Sequence, residues 1–583
     1  MAMTEGLEIR DVRLSSAKER EKARRFLEAS GLRFEPGIEY MAAVCGSDGE
    51  MLGCGALEGD TVKCVAISPL LQGEGIAASL VSVLLSRAFR EGHSNVRVFT
   101  KPECRSLFES LGFSVCGSSP KAVLLESDTA GLRRYRSYLS GHKADGAIVM
   151  NANPFTLGHL YLIEKAAGMC RRLAVIPVGE NSSEGFTYTE RLSMLRDATR
   201  HIPGVEILEG SRYAVSPATF PSYFIKKADD AAEAQARLDL DIFCSRLAPE
   251  LGTECRFVGT EPSDRLTALY NRVMKEVLPQ RGIMVTEIER LEKDGSPVSA
   301  SRVRHLLEND RLKEALRLVP RSDIPALLAF LACRALRMEL DLAPKPGLVD
   351  PFDSGSHTDM DYALMSRSID ALRPWFLDLA RKAYAGELAS GEELRAAGLE
   401  GERAMMDATG GVNTHKGAVF SLGIVVAASA RILAGRSSSG LQEEIASAAR
   451  AVAAAPPAGP CRTHGEEMRI RYGIGGAARH AAAGFPMLFS DWLPFLKKNP
   501  DSDETRLRLL LRIISVLDDT NAYYRAGEAK AREAMARAAE VAECFSADAL
   551  RRLGKEFKEA GISHGGAADM LALTFFIRSL GIE

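Results

Sequence analysis

Over the first three hundred positions, short apolar and β-branched runs alternate with polar segments marked by glycine. Tyr40-Met-Ala-Ala-Val-Cys45 and Met51-Leu-Gly-Cys54 flank Ser47-Asp48-Gly49, which predicts two strands joined by a tight turn. Thr61-Val-Lys-Cys-Val-Ala-Ile67 predicts a third strand, ended by Ser68-Pro69. A helix is expected from Gln72-Gly-Glu-Gly-Ile-Ala77 to about Arg90, and another over Ser106 to Gly112 before a further strand. Gly146-Ala-Ile-Val-Met150 is continuously apolar, as a buried parallel strand is, and the apolar helix Leu160–Ala167 follows it. From about Pro320 onward the pattern becomes helical and rich in alanine, with Pro320 and Pro325 bracketing the change. A softer seam lies at Leu132 to Lys143, and no fixed-period repeat occurs. The expected organisation is multidomain: an α+β domain over 1–131, an α/β domain over 144–318 and an all-α domain over 325–583.

Bulk composition narrows the function classes. A chain of 583 residues is too long for one core. Its 74 basic and 77 acidic side chains leave a net charge of −3, which predicts neither a nucleic-acid nor a membrane partner. The first residues, MAMTEGLEIRDVRL, carry charge from the fifth position and have no apolar signal core. The most apolar run, Ala418 to Ala430, falls short of the ~20 residues a spanning helix needs and predicts a buried helix. The 11 cysteines are scattered without a C-x-x-C pair, and Cys461 with His464 is a lone C-x-x-H, so no zinc site is expected. Reduced thiols and a cytoplasmic protein are the expectation.

Candidate chemistry begins at Gln72. A glycine-rich turn opening a helix leaves backbone N–H groups free for a pyrophosphate. Gln72, Gly75 and Ala77 match the Q/R-x-x-G-x-G/A turn, and with the strand order and Leu111-Gly-Phe113 the segment resembles the GNAT acetyltransferase fold. That resemblance implies a site for an acyl-CoA arm. No general base is evident, so binding of a pantetheine or phosphopantetheine arm without acetyl transfer is expected.

The segment Asn151-Ala-Asn-Pro-Phe-Thr-Leu-Gly-His159 follows the parallel strand. Attack on the α-phosphorus of ATP builds charge on phosphoryl oxygens and needs preorganised donors. A histidine at a helix N-terminus supplies them, and a neighbouring glycine lets the backbone approach. Thr156, Gly158 and His159 resemble the (H/T)-x-G-H signature of adenylyl-transferring nucleotidyltransferases, with Thr156 in place of a first histidine. Val298-Ser-Ala-Ser-Arg-Val-Arg304 resembles the I-S-x-[ST]-x-x-R run that closes this superfamily's nucleotide site. There Ser299 and Ser301 offer hydroxyls, and Arg304 offers a fork for phosphate. With Phe257-Val-Gly-Thr-Glu-Pro262, Thr267-Ala-Leu-Tyr-Asn271 and the GNAT-like segment before them, residues 1 to about 318 resemble citrate lyase ligase. The resemblance implies a Rossmann-like sheet, catalytic Thr156, His159 and Arg304, and nucleotide contacts from Asn153, Phe155, Gly158, Ser299 and Ser301. It also implies acetate and ATP as substrates, acetyl-AMP as intermediate, and the thiol of the citrate lyase acyl carrier subunit as acceptor. Tyr188 and Arg191 are candidates to lie near the nucleotide or on a solvent-facing helix start, and Lys226 and Lys227 to touch phosphate or face solvent. The rival class is a nucleotidyltransferase acting on a phosphopantetheine-like phosphate ester.

Polar clusters interrupt the helices of the last 260 residues or so. They are Glu339–Asp350, Ser354–Asp361, Gly411–Gly417, Arg471–Pro486, Asp518–Asn521 with Arg525, and Ser563–Leu571. Asp359, Asp361 and Asp519 are hard-oxygen candidates for Mg2+, while Lys345, Lys416 and Arg525 are candidates to neutralise phosphate. Pro344-Lys-Pro-Gly-Leu-Val-Asp350, Asn413-Thr-His-Lys-Gly417, Asp519-Thr-Asn521 and the closing Gly-Gly-Ala-Ala-Asp569 resemble triphosphoribosyl-dephospho-CoA synthase. His564 stands where that family has proline. The resemblance implies ATP and 3′-dephospho-CoA as substrates, adenine as leaving group and Asp519 as a catalytic carboxylate, with Asn413 and His415 either at the nucleotide or structuring their loop. A hydrolase of ADP-ribosyl bonds is the rival class, and malonate decarboxylase an alternative destination for the product. The two halves together point to one task, the maturation of citrate lyase.

Overall fold

A computed structural model describes residues 7–35, 37–179, 185–214, 220, 223–225, 227–261, 264–455, 471–474 and 476–581. Two compact units divide the chain, residues 1–298 and 299–583.

The first unit holds two larger sheets. One is mixed and runs in the order β1-β2-β3-β4-β5-β7-β6, from β1 (Glu8–Asp11), β2 (Tyr40–Cys45), β3 (Met51–Glu58), β4 (Thr61–Ile67), β5 (Arg97–Thr100), β6 (Ser114–Ser118) and β7 (Val123–Glu126). The predicted helix follows β4 at Ile76–Arg90, and its buried Leu80, Val81, Leu84 and Ala88 line the core side. The other sheet has the order β10-β9-β8-β11-β12, from β8 (Gly146–Met150), β9 (Leu173–Pro177), β10 (Val205–Ile207), β11 (Cys255–Gly259) and β12 (Met284–Ile288). All its pairings are parallel, as the unbroken apolar run Gly146–Met150 predicts.

The soft seam at Leu132 to Lys143 is not a break in packing. The helix Ala130–Ser140 buries Leu132 and Leu139, and Arg136 pairs with Glu250 at 2.6 Å. One buried cluster runs from Val12 to Ile283 through both sheets. Edge strand β6 is covered by the helix Ala228–Ile242: a Cβ on Gly117 would stand 2.3 Å from Ile242, and Ser118 N–H donates to Asp241 at 2.9 Å.

The second unit is helical. The helix Ile324–Asp341 packs on Tyr362–Ala385, Lys416–Leu433 and Gly565–Leu580. Lys416–Leu433 has the length and apolarity of a membrane span, yet Ala418 to Ala430 are buried within the unit apart from Phe420. The unit begins ahead of the expected boundary near Pro320. Asp310, after the helix Ala300–Glu308, is held by Arg334 at 3.0 Å and Arg578 at 2.8 Å, which ties residues 299–318 to the helices.

Candidate active sites

In the parallel sheet the strand order reverses between β8 and β11, so the carboxyl ends of these strands flank a crevice. The loop after β8 fills one side of it. Asn153 is buried with Oδ1 accepting from Phe186 N–H at 2.8 Å, and Phe155 is fully buried with its ring 5.6 Å from that of His159. These two residues, expected on the nucleotide, are buried in the loop: the Phe155 ring is removed from water, and the buried Asn153 amide is satisfied by the Phe186 N–H.

The helix starts at Leu157 and not at Leu160, because Thr156 caps it. Thr156 Oγ accepts from His159 N–H at 3.3 Å, and His159 Nδ1 accepts from Thr156 N–H at 3.1 Å. An Nδ1 that accepts leaves the ring proton on Nε2. Burial first, then the positive charge of Arg290, hold His159 down to about 4, so the ring is neutral at neutral pH. The result is a fixed, neutral N–H donor in the first turn of a helix, where phosphoryl oxygens are favoured. Gly158 has no room for a side chain: its Cβ would stand 2.6 Å from the Val298 carbonyl oxygen.

Arg191 does not face solvent. It is fully buried and donates to the carbonyls of Asn151 at 2.6 Å and Val178 at 3.0 Å, bracing the segments that leave β8 and β9. Tyr188 Oη accepts from Gly210 N–H at 2.7 Å and braces the segment after β10 in the same way. Asn271 Nδ2 donates to the Gly259 carbonyl at 2.9 Å, fixing the end of β11. Lys227 is exposed beside the start of Ala228–Ile242, and Lys226 lies outside the described residues, as do Pro262, Cys461 and His464. Ser299 caps Ala300–Glu308 through Arg302 N–H at 3.2 Å and lies 3.4 Å from Ser301 Oγ; Arg304 is half-buried in the same helix.

In the mixed sheet, Gly75 takes φ 76° before Ile76–Arg90, and no side chain caps that helix. Gln72 is exposed and Ala77 half-buried. Strands β4 and β5 pair only at Thr61–Arg97 and Val62–Val98. Beyond that point the Tyr223 hydroxyl fills the gap, donating to the Phe99 carbonyl at 2.9 Å and accepting from Cys64 N–H. Arg33 N–H holds the Tyr223 carbonyl at 3.0 Å, and Phe220 packs edge-on against Phe99 at 5.7 Å.

The helical unit gathers its polar clusters around the starts of two long helices. Lys345 is buried, and its Nζ is bound by the Glu339 carboxylate at 2.5 Å and carbonyl at 2.7 Å. A buried ammonium needs such a partner, so Lys345 is not the free phosphate neutraliser expected of it. His415 is buried with Nδ1 2.8 Å from Ser368 Oγ, while its Nε2 has no hydrogen-bond partner among the described residues. Burial, with Lys345 and Arg337 adding, holds His415 at about 3. Asn413 Oδ1 caps Lys416–Leu433 through Lys416 N–H at 3.2 Å, and Lys416 Nζ pairs with Glu402 at 2.8 Å. Arg525 reaches the Ser356 carbonyl at 3.0 Å and His357 Nδ1 at 3.3 Å, and His357 Nε2 lies 2.8 Å from Ser563.

The three aspartates expected to share Mg2+ are not a ligand set. Asp361 is an exposed helix cap for Leu364 N–H at 2.8 Å, Asp359 is exposed beside His357 at 3.8 Å, and Asp519 is buried. Among the described residues no three His, Cys, Asp or Glu side chains are gathered to hold a metal. Asp361 and Asp519 each hold backbone N–H groups at helix starts, which sequence spacing does not reveal.

Comparison with known proteins bears on both units. Residues 145–326 match the family described as citrate lyase ligase C-terminal domain, and residues 325–582 match that of ATP:dephospho-CoA triphosphoribosyl transferase. A [citrate [pro-3S]-lyase] ligase of Klebsiella pneumoniae is 41% identical over 327 residues, 54% of this chain and 94% of the relative. A relative in Pseudomonas paraeruginosa named "Probable 2-(5''-triphosphoribosyl)-3'-dephosphocoenzyme-A synthase" is 38% identical over 280 residues, 46% of this chain and 94% of the relative. The chain belongs to both families. Among solved structures, a GCN5-related N-acetyltransferase of Kribbella flavida aligns over 21% of the chain and 97% of its own length, at 15% identity and a TM-score of 0.17.

Sequence reasoning left several residues of the synthase part unassigned. Glu339, the partner of Lys345, and Asp569 both stood inside quoted motifs without a role. His564, at the proline position, is 1% exposed with neither ring nitrogen hydrogen-bonded among the described residues, and burial holds it at about 4. The signal for Asp569 was present: an acid in the first turns of an apolar helix, three residues after paired glycines.

Proposed function

We propose that the chain is a bifunctional enzyme of citrate lyase maturation. The ligase part joins acetate to ATP as acetyl-AMP with loss of pyrophosphate, then passes acetyl to the prosthetic-group thiol of the citrate lyase acyl carrier subunit. The synthase part joins the ribose of ATP to 3′-dephospho-CoA with loss of adenine, making the precursor of that prosthetic group. The neutral His159, fixed by the Thr156 N–H at the β8 crossover, is the observation that carries the ligase reading. Its Nε2–H is the donor to the α-phosphoryl oxygens, while Arg191 keeps the loops after β8 and β9 in register.

In the synthase part the convergence of the P-K-P-G, N-T-H-K-G, D-T-N and G-G-A-A-D segments supports a polar cleft for two nucleotides. Mg2+ enters this reading as the ion that ATP carries, not as a resident of the three aspartates. The mixed sheet has a GNAT-like order and serves as a scaffold, since Tyr223 occupies the gap between β4 and β5. The Gln72–Ala77 turn remains its candidate anion site. Cytoplasmic residence follows from these substrates and partner.

Two assays on the full chain test the proposal: adenine release from ATP with and without 3′-dephospho-CoA, and acetate-dependent pyrophosphate release. Each activity is expected to need its own substrate. His159→Ala is expected to abolish pyrophosphate release and spare adenine release. Adenine release that ignores dephospho-CoA, or loss of both activities in His159→Ala, sinks the proposal.

A further inference from the structure

Two carboxylates lie together in the synthase part, and they are held in opposite ways. Asp519 accepts from Asn521 N–H at 2.9 Å and Ala567 N–H at 3.1 Å, and the N–H groups of Gly566 and Ala522 also point to it. Donors at the starts of Thr520–Ala526 and Gly565–Leu580 therefore favour its ionised form. It is 3% exposed, so substrate does not reach it.

Asp569 sits two residues beyond Ala567 on the helix Gly565–Leu580. The backbone donor recorded on it is Ala418 N–H, from the first turn of Lys416–Leu433. The negative charges of Asp519 and Glu339 face it, and Glu339 is itself tied to Lys345. His415, close to Lys345, stays neutral. Space for the Asp569 carboxylate exists only because residue 417 is glycine: a Cβ there would stand 2.0 Å from Oδ2. Asp569 is half-buried, as are Gly417, Gly565 and Gly566 beside it, so the acid is not sealed off as Asp519 is.

We propose that Asp569, lodged in the space that Gly417 leaves, is the catalytic acid of the synthase part, delivering its proton to the departing adenine, and that Asp519, fixed beside it by backbone donors, is a positioning residue. This rests on the synthase reading above. The C1′–N9 bond of ATP breaks with its electron pair going to the base, and the proton from Asp569 neutralises the base at a ring nitrogen. The 2′-hydroxyl of dephospho-CoA forms the new bond to C1′ and releases its proton to water, from which Asp569 is recharged. Atoms and charge balance, and no further reactant is needed.

Ionisation agrees with this division of roles. Burial first, then Asp519 and Glu339, push Asp569 well above the ordinary carboxylate range, so it enters protonated. Burial pushes Asp519 up to about 6 against its backbone donors, so it is ionised at pH 7 and above.

The test is adenine or pyridine-base release by the full chain, comparing ATP with nicotinamide riboside 5′-triphosphate. Nicotinamide leaves neutral from a pyridinium and needs no proton. Asp569→Asn is expected to lose about 100-fold or more in kcat with ATP, and less than about 10-fold with the pyridinium substrate. Asp519→Asn is expected to move the alkaline limb of kcat with ATP to lower pH, since the charge that holds the proton on Asp569 is gone. Equal losses on both substrates, or an unmoved limb, overturn the proposal. If Asp569→Asn does not fold, the wild type decides: an alkaline limb with ATP that is missing with the pyridinium substrate supports it, and identical pH profiles overturn it. A wild type that releases no adenine at all defeats the synthase reading instead.

Discussion

At the scale of single residues, the sites depend on polar groups whose ionisation is set by what surrounds them. His159 is the clearest case. Its ordinary value of 6.5 is lowered to about 4 by burial and Arg290, so the neutral ring persists as pH falls until that value is approached. Pyrophosphate release is therefore expected to show no acid limb from His159 between pH 8 and 5. An acid limb near 6.5 in the wild type would mean an exposed, titrating imidazole. Lys345 illustrates the reverse lesson. Its place in P-K-P-G suggested a phosphate contact, but burial beside Glu339 uses its charge inside the protein. A sequence names the side chain and leaves its partner open.

At the scale of elements, glycines and caps set where helices begin, and much of this was legible. Thr156 and Ser299 are of the residue types that cap helices, and both side chains do cap, although the apolar pattern alone put the first helix at Leu160. The gap between β4 and β5 was not legible, because it is filled by Tyr223 from more than a hundred residues away. Tyr223→Phe leaves the Phe99 carbonyl and Cys64 N–H without that hydroxyl, at an expected cost of about 1–3 kcal/mol in urea unfolding of the full chain. Both catalytic rates are expected to stay unchanged at 25 °C. An altered KM for the acyl carrier in this variant would mean that Tyr223 guards a pantetheine slot and not a scaffold.

At the scale of the whole molecule, the units are cut where packing changes and not where composition does. Composition shifts near Pro320, yet Asp310 already belongs to the helical unit through Arg334 and Arg578. Asp310→Ala removes the carboxylate shared by Arg334 and Arg578, which keep only the Glu308 carbonyl and Asp501. It is expected to destabilise that unit by about 1–3 kcal/mol, read as an earlier loss of adenine release than of pyrophosphate release during heating. Loss of both at the same temperature would place residues 299–318 with the ligase part instead. The two sheets of the first unit make the same point, since a seam in composition at Leu132 to Lys143 runs through one continuous core.

The sequence by itself determined the class of the elements it marked most strongly, the order of the chemistry along the chain and the two families, because local periodicity, caps and short motifs are encoded within a few residues of one another. T-x-G-H, N-T-H-K-G and D-T-N needed no fold to be recognised. Only the tertiary structure decided which charged groups are spent on each other. It turned Asn153 and Phe155 inward, bound Lys345 to Glu339, dispersed the three aspartates and set Asp519 beside Asp569. Desolvation and long-range pairing fix those outcomes, and both arise when distant segments are packed together, not within any one of them.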